Sequence, residues 1–239
     1  MRGSELLDWL CSLPAAERDR ALEKHLGLDE PTSRGDAESP GPDLIGYHPS
    51  SVAAIVRALV DVPVRASDVL VDLGAGLGKV VLLAHLLTGA SCRGIELQSE
   101  LVSRSRAAAR RLGLTLGPEL ELSQGDARQA ELQPGTVFYL YAPFTGAALS
   151  EVLARLERVA NQRAIAICAL GLDLPRNVRW LAPRPSDSFW LTVYDSVVSG
   201  VPARMPGARD SALYSCSTDT VIFEREAPRR SSPKTRAKT

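Results

Sequence analysis

The stretch Val69–Lys79, which reads VLVDLGAGLGK, is the part of the chain from which the fold is most clearly predicted. An apolar run meets the acid Asp72, three glycines follow at every second position, and a helix-like apolar segment begins at once. This order is typical of a buried strand that turns sharply into a helix. Glycine gives the backbone conformations closed to other residues and lets a ligand lie against it. The stretch therefore predicts a binding loop for a nucleotide-like cofactor.

The spacing of these glycines differs from that of the dinucleotide-binding fingerprint. Loops for NAD-type cofactors read G-x-G-x-x-G and hold a pyrophosphate at a helix N-terminus. Here the spacing is G-x-G-x-G, and Asp72 stands two residues before the first glycine. A carboxylate at that position would repel a phosphate, but it suits a cofactor with a cationic or amine-bearing end.

The composition favours one α/β domain with short additions. The chain has 239 residues, of which 45% are hydrophobic and 23% charged, and a chain of this length can bury a core without disulfides or metal. Its formal net charge is zero, so no global attraction to nucleic acid or to a membrane is expected.

The cysteines and the N-terminal segment bear on metal binding and location. None of the four cysteines forms a C-x-x-C pair, so no metal site is expected, and Cys92 and Cys168 fall in apolar runs typical of buried free thiols. The sequence begins without a secretory hydrophobic region, and no apolar run approaches membrane-spanning length. We therefore expect a cytoplasmic protein.

The chain is predicted to have three parts. Residues 1–43 contain two short amphipathic helices within 5–28, followed by a linker rich in Pro, Gly, Ser and Asp. In residues 44–226, apolar strand-like runs alternate with helical ones, as in one α/β domain. Residues 227–239 are basic, contain Pro and Ser, and are expected to form a disordered tail.

The alternation in the main part predicts a doubly wound, mostly parallel sheet with helices on both faces. Five strands alternate with helices, and a final pair of strands suggests that the last one is added antiparallel at one edge. The predicted strands are Val69–Leu73, Ser91–Glu96, Leu120–Gln124, Thr136–Tyr141, Ala164–Leu170, Phe189–Ser196 and Thr220–Arg225. The predicted helices are Ser51–Leu59, Lys79–Leu87, Ser99–Leu112 and Ala147–Ala160.

The glycine loop, with an acid ending the second strand and another following the third, resembles the class I S-adenosylmethionine-dependent methyltransferases. The segment D-L-G-A-G-L-G looks like their motif I. This resemblance implies a Rossmann-like seven-strand sheet whose last strand is antiparallel, S-adenosyl-L-methionine as cofactor, and methyl transfer as the activity. In open α/β sheets the ligand lies at the carboxyl ends of the strands, where these motifs fall.

The same resemblance implies roles for individual residues. Asp72 would approach the methionine part of the cofactor, Glu96 would accept hydrogen bonds from the ribose hydroxyls, and Asp126 would accept from the adenine amino group. Tyr47, in a Tyr-x-Pro-Ser segment like one seen in some protein-lysine methyltransferases of this fold, would cover the cofactor. The full set of expected cofactor-binding residues is Tyr47, Asp72, Gly74, Ala75, Gly76, Gly78, Glu96, Leu97, Asp126, Ala127 and Tyr141.

The fourth strand ends in a sequence that bears on the methyl acceptor. Amino-group methyltransferases carry Asn or Asp, then Pro, then an aromatic residue at this strand end. Pro143 and Phe144 match that pattern, but Ala142 stands at the polar position, which argues against methylation of a DNA base. Tyr141, Phe144 and Tyr47 are the expected catalytic residues, since their rings would line the acceptor pocket.

Three functions are compatible with these patterns. The first is methyl transfer to a protein side-chain amine, as in the non-SET protein-lysine methyltransferases that Tyr47–Ser50 and the glycine loop resemble. The second is small-molecule O- or N-methylation, with the N-terminal helices and residues 43–46 forming a lid. The third is a cofactor-binding scaffold without catalysis. The expected partner is a protein or a small-molecule methyl acceptor rather than nucleic acid or membrane.

Overall fold

A computed structural model describes residues 1–28, 48–141, 144–186, 188 and 190–204. The helices are α1 (Gly3–Ser12), α2 (Ala15–Leu26), α3 (Val52–Asp61), α4 (Lys79–Thr88), α5 (Ser99–Arg111) and α6 (Gly146–Ala160). The strands are β1 (Val69–Leu73), β2 (Ser91–Glu96), β3 (Leu120–Gln124), β4 (Val137–Tyr141), β5 (Ala166–Leu170), β6 (Leu181–Pro183) and β7 (Leu191–Ser196).

The seven strands form one sheet in the order β3-β2-β1-β4-β5-β7-β6. Strands β1 to β5 are parallel, whereas β7 runs antiparallel to both of its neighbours. The predicted fold class, a mostly parallel seven-strand sheet with an antiparallel last strand, is confirmed. Because β1 to β5 are parallel, their last residues meet at one edge of the sheet, which we call the carboxyl edge.

One detail of the predicted strand set is wrong. Leu181–Pro183 forms the sixth strand, which the sequence did not indicate, so Leu191–Ser196 is the seventh strand rather than the sixth. This antiparallel strand lies between β5 and β6. The predicted strand Thr220–Arg225 and the proposed linker and basic tail lie outside the described residues, and the domain boundaries stay predictions.

The sheet separates two apolar cores because its central strands are buried on both faces. One core lies between the sheet and the face that carries α3, α4 and α5, and it includes Leu70 and Tyr139. The other lies between the sheet and α6, and it includes Val71 and Phe138. Alternate residues of each strand therefore face different helices.

The N-terminal helices belong to the first core. Their buried leucines are at most 1% exposed, and the pair packs on α3, α4 and α5. These side chains are Leu6, Leu7, Leu10, Leu22 and Leu26. Burying one leucine contributes about 1.5–3 kcal/mol relative to leaving it in water, so the helical pair is an integral part of the fold. The predicted small N-terminal helical extension is confirmed.

Cys92 and Cys168 are buried free thiols, as predicted. No helix in the described part of the chain is both long and apolar enough to cross a bilayer. Within the same residues, no cluster of three or more His, Cys, Asp or Glu side chains is arranged to hold a metal ion.

Candidate functional site

The loop between β1 and α4 takes a conformation that requires glycine. Gly74, Gly76 and Gly78 have φ angles of 92°, 54° and 75°, a region that residues with a Cβ rarely adopt. The amides of Gly74 and Ala75 donate hydrogen bonds of 2.9 and 3.0 Å to the carbonyl of Ile95 on β2. The loop is therefore laid across the carboxyl edge and fixed to the neighbouring strand.

Gly94 on β2 makes this close approach possible. A Cβ at Gly94 would lie 2.9 Å from the Cβ of Ala75 and 2.9 Å from a methyl group of Val81. Any side chain at this position would push the glycine loop off the strand. Gly94 is not among the predicted site residues, although a glycine inside a strand is a recognised signal of close backbone contact.

Glu96, at the end of β2, holds the loop from the other side. Its Oε2 accepts a 2.8 Å hydrogen bond from the amide of Gly76, and its Oε1 accepts a 2.9 Å bond from the amide of Gln98. Each carboxylate oxygen can accept a second hydrogen bond. Glu96 can thus order the loop and still receive hydroxyl groups of a ligand.

Asp72 is the buried acid of the site. It is 3% exposed, and none of the described residues hydrogen-bonds its carboxyl group. Burial raises the pKa of Asp72 to about 8, and the nearby Glu96 carboxylate adds to the rise. Buried acids without a partner are costly, so a group at this place that is cationic or donates hydrogen bonds would be stabilised.

Asp126 follows β3 and has a partner of its own. Its carboxylate receives the Arg128 guanidinium, with Nε 3.0 Å from both oxygens and Nη2 2.6 Å from Oδ2. The backbone amide of Arg128 also donates to Oδ1. These hydrogen bonds, above all the one from the guanidinium, lower the pKa of Asp126. An adenine amino group would have to share this carboxylate with Arg128. The next residue, Ala127, is buried.

Leu97 and Tyr141 leave apolar surface open at the carboxyl edge. Their exposures are 46% and 37%, and they are two of the four large hydrophobic residues that are exposed in the described ranges. Both directly follow or end strands of the parallel sheet. Exposed apolar groups beside polar ones are typical of a ligand-binding crevice.

Phe144, the other described ring that was predicted at the acceptor, packs into a core, as do the aromatic residues Tyr194 and Trp190. Phe144 is 4% exposed and belongs to the core shared with α6. Tyr194 is buried in the same core, where its hydroxyl accepts a 3.3 Å hydrogen bond from the amide of Leu174. Trp190 packs on the opposite core and is partly exposed. Tyr141 is thus the one described ring among them at the open edge.

The segment before α3 is attached to the sheet by a buried hydrogen bond. The Tyr139 hydroxyl donates to Oγ of Ser50 at 3.1 Å, and the Ser51 side chain accepts from the amide of Ala54 to cap α3. Tyr139 is paired with Asp72 across β4 and β1, so Ser50 lies close to the carboxyl edge. Tyr47, Ala142 and Pro143 lie outside the described residues.

The sheet order and the glycine loop after β1 define the class I methyltransferase fold. No protein-family model and no curated protein matches the chain. Among solved structures, the chain is similar to an RNA methyltransferase from Salinibacter ruber in complex with S-adenosyl-L-homocysteine, with 28% identity and a TM-score of 0.51 over 65% of this chain and 97% of that one. It is also similar in fold to the putative methyltransferase yhhF from Escherichia coli, with 17% identity and a TM-score of 0.51 over 65% of this chain and 90% of that one. The predicted resemblance to class I methyltransferases is confirmed.

Proposed function

We propose that this chain is an S-adenosyl-L-methionine-dependent methyltransferase that binds its cofactor at the carboxyl edge of the sheet. The observation that carries the proposal is the buried acid Asp72, to which no described residue donates a hydrogen bond, beside Glu96 and a glycine loop already in place. The cofactor has an ammonium and a sulfonium group, and both favour an acidic crevice. The similarity to an S-adenosyl-L-homocysteine complex, which covers 97% of that chain, supports the same conclusion.

In this proposal each residue group contacts one part of the cofactor. Asp72 receives the amino group, the free lone pairs of Glu96 receive the ribose hydroxyls, and Asp126 with the Ala127 amide receives the adenine. Leu97 provides an apolar contact for the ring, and Tyr141 lies toward the reacting methyl group. The loop residues Gly74, Ala75, Gly76 and Gly78 form the floor, and Tyr47 covers the site.

The chemistry requires alignment more than proton transfer. The bound cofactor supplies a methyl group on a positively charged sulfur, which a nucleophile displaces in line. The contribution of this chain is to bring the acceptor into line and to keep water away from it. Tyr141 is the catalytic residue proposed on this edge, and its backbone carbonyl is an acceptor for the hydrogen of an incoming amine. Phe144 lies in the core, so any effect it has on the acceptor would be indirect.

For the acceptor we propose a protein side-chain amine, most simply lysine. Ala142 removes the polar side chain that would orient the exocyclic amine of a base, and Tyr47–Ser50 resembles a segment of protein-lysine methyltransferases. A lysine must be neutral to attack, and an apolar surface such as the Tyr141 ring lowers the pKa of an amine.

A second candidate acceptor is RNA, because the structure with 28% identity is that of an RNA methyltransferase. A small-molecule acceptor is the third, and it would use the same cofactor crevice. These candidates differ in where the transferred methyl group is recovered.

Calorimetry with the full chain tests the cofactor site. We expect both S-adenosyl-L-methionine and S-adenosyl-L-homocysteine to bind with one-to-one stoichiometry, and no binding of either would refute the proposal. Labelled cofactor incubated with cell extract then tests the acceptor. Label in protein bands that resist ribonuclease supports a protein acceptor, and recovery of methyl-lysine from the hydrolysed bands supports lysine. Label lost on ribonuclease treatment indicates RNA, and label in the organic extract indicates a small molecule. Binding without transfer to any fraction would indicate the scaffold function.

A further inference from the structure

Lys79 is a cation at the start of α4, directly after the third glycine of the loop. The N-terminus of a helix already carries partial positive charge, so a lysine there is electrostatically unfavourable. A glycine loop followed by lysine at a helix N-terminus is the arrangement that other proteins use to bind phosphate. Left unpaired, Lys79 would therefore favour an anionic ligand and oppose a cationic one.

The N-terminal helix α2 neutralises this charge. Lys79 Nζ lies 2.7 Å from Oδ1 of Asp19 and 2.8 Å from Oε1 of Glu23, and the Lys79 side chain is only 5% exposed. Asp19 and Glu23 are one helical turn apart and meet the lysine from the same face of α2. The three groups together carry one net negative charge beside the loop.

Asp19 has a second contact. Its Oδ1 also accepts a 2.8 Å hydrogen bond from the amide of Val52, the first residue of α3. Glu23, in contrast, makes its described side-chain contact with Lys79 alone. A change at Glu23 thus alters charge with little effect on backbone geometry.

We propose that Asp19 and Glu23 determine the charge specificity of the cofactor site, a role that rests on the proposed function. By pairing Lys79, they keep the start of α4 from repelling a sulfonium. The two forms of the cofactor differ by one charge, because S-adenosyl-L-methionine is positive at sulfur and its product S-adenosyl-L-homocysteine is neutral there. The pair of carboxylates favours the substrate form of the cofactor over the product form.

The test is the ratio of dissociation constants for the two ligands, measured by calorimetry at low salt. In the variants E23Q and D19N/E23Q we expect binding of S-adenosyl-L-methionine to weaken about threefold or more relative to S-adenosyl-L-homocysteine. Adding K79M to the double variant removes the cation left without its carboxylates and lowers the net charge of the three positions from +1 to 0, so the ratio should return to that of E23Q. The control is E17Q, which removes an equal charge from an exposed position on α2.

A purely structural role for the ion pairs would weaken both ligands equally and leave the ratio unchanged, and that result would overturn the proposal. A ratio that shifts in the double variant and is left unchanged by adding K79M would overturn it as well. If the double variant does not fold, the single variant E23Q decides. The wild-type chain separates the two proposals, because failure of the wild type to bind either ligand would refute the proposed function itself.

Discussion

Two buried aspartates at opposite ends of β1 differ in their partners. Asp68, just before the strand, is 8% exposed, and its carboxylate receives the amide of Arg65, the hydroxyl of Thr136 and the guanidinium of Arg204. Asp72, near the end of the strand, is 3% exposed and receives no hydrogen bond from the described residues. Asp68 is thus a fully partnered acid where β1 begins, whereas Asp72, near the end of the strand, has no hydrogen-bond partner among the described residues.

The difference separates a structural acid from a functional one. A buried carboxylate with a guanidinium and two further donors stabilises the fold, because removing it leaves the other groups unsatisfied. A buried carboxyl group without donors destabilises the chain on its own and is favourable only when a ligand supplies them. The edge of the sheet where β1 begins, which we call the amino edge, is therefore stabilised by its own hydrogen bonds. The carboxyl edge instead keeps a carboxyl group available for a ligand.

The largest expected effect is at the partnered acid. Asp68→Ala leaves Arg204 buried without its counter-ion, so we expect the free energy of unfolding to fall by about 3–5 kcal/mol in urea titrations. Binding of the cofactor to the fraction that remains folded should be unchanged. If Asp68→Ala lowers the free energy of unfolding by less than about 1 kcal/mol, the hydrogen bonds of Asp68 do not stabilise the amino edge.

For a substitution of Asp72 we expect the opposite change, a rise in the free energy of unfolding. Asp72→Asn should raise the free energy of unfolding at pH 7 by about 2 kcal/mol without ligand, because a neutral amide replaces a group that resists ionisation. In the unfolded chain the Asp72 carboxyl group has its ordinary pKa of 3.8, whereas in the folded chain its pKa is about 8. The free energy of unfolding of the wild type should therefore fall as the pH rises from about 4 to about 8. That of Asp72→Asn should not show this decrease.

Measurements of unfolding at several pH values check this sign. If Asp72→Asn is less stable than the wild type at pH 7, Asp72 must have a stabilising partner and the contrast with Asp68 fails. The same variant should bind S-adenosyl-L-methionine more weakly, which links the stability penalty to the site.

Glu96 resembles both aspartates, because it accepts hydrogen bonds within the fold and can still accept others from a ligand. Glu96→Ala removes the acceptor for the Gly76 amide and the acceptor proposed for the ribose, so we expect cofactor affinity to fall tenfold or more, about 1.4 kcal/mol. Calorimetry measures the effect, and Glu100→Ala, an exposed acid at the start of α5, is the control. Unchanged affinity in Glu96→Ala would remove Glu96 from the site.

The smallest effect is expected at the hydrogen bond between Tyr139 and Ser50. Tyr139→Phe should lower the free energy of unfolding by about 1 kcal/mol, and Ser50→Ala by a similar amount. If the two side chains act through this bond, the double variant should lose little more than either single one. Fully additive losses would show that the bond does not anchor the segment before α3.

The regular part of the fold was predictable from the sequence. Strands β1, β2 and β3 have the predicted bounds, and α4 and α5 differ from prediction by one residue at an end. The apolar runs and glycines around β1 and α4 give strong local signals, and so does the regular spacing of apolar residues in β3 and α5. Strand β6 was missed because three residues ending in Pro183 are too short to show an alternating pattern.

The site was predictable only where its residues follow local motifs. Glu96 and Asp72 stand at strand ends, which the sequence indicates. The pairing of Lys79 with Asp19 joins residues 60 positions apart, and no local pattern signals it. Phe144 was predicted at the acceptor because it follows a familiar motif, whereas the packing of α6 places it in the core. The ion pair between Asp126 and Arg128 could have been predicted, because the two residues are only two positions apart. It shows that an acid suited to a ligand can already have a partner.

The Glu96–Gly76 hydrogen bond has a kinetic consequence. Ordering one residue costs about 1–2 kcal/mol, and this hydrogen bond already holds the Gly76 amide in place without a ligand. Such preorganisation removes the need for a slow loop rearrangement after encounter. In stopped-flow experiments the observed association rate should therefore rise linearly with cofactor concentration and reach no plateau.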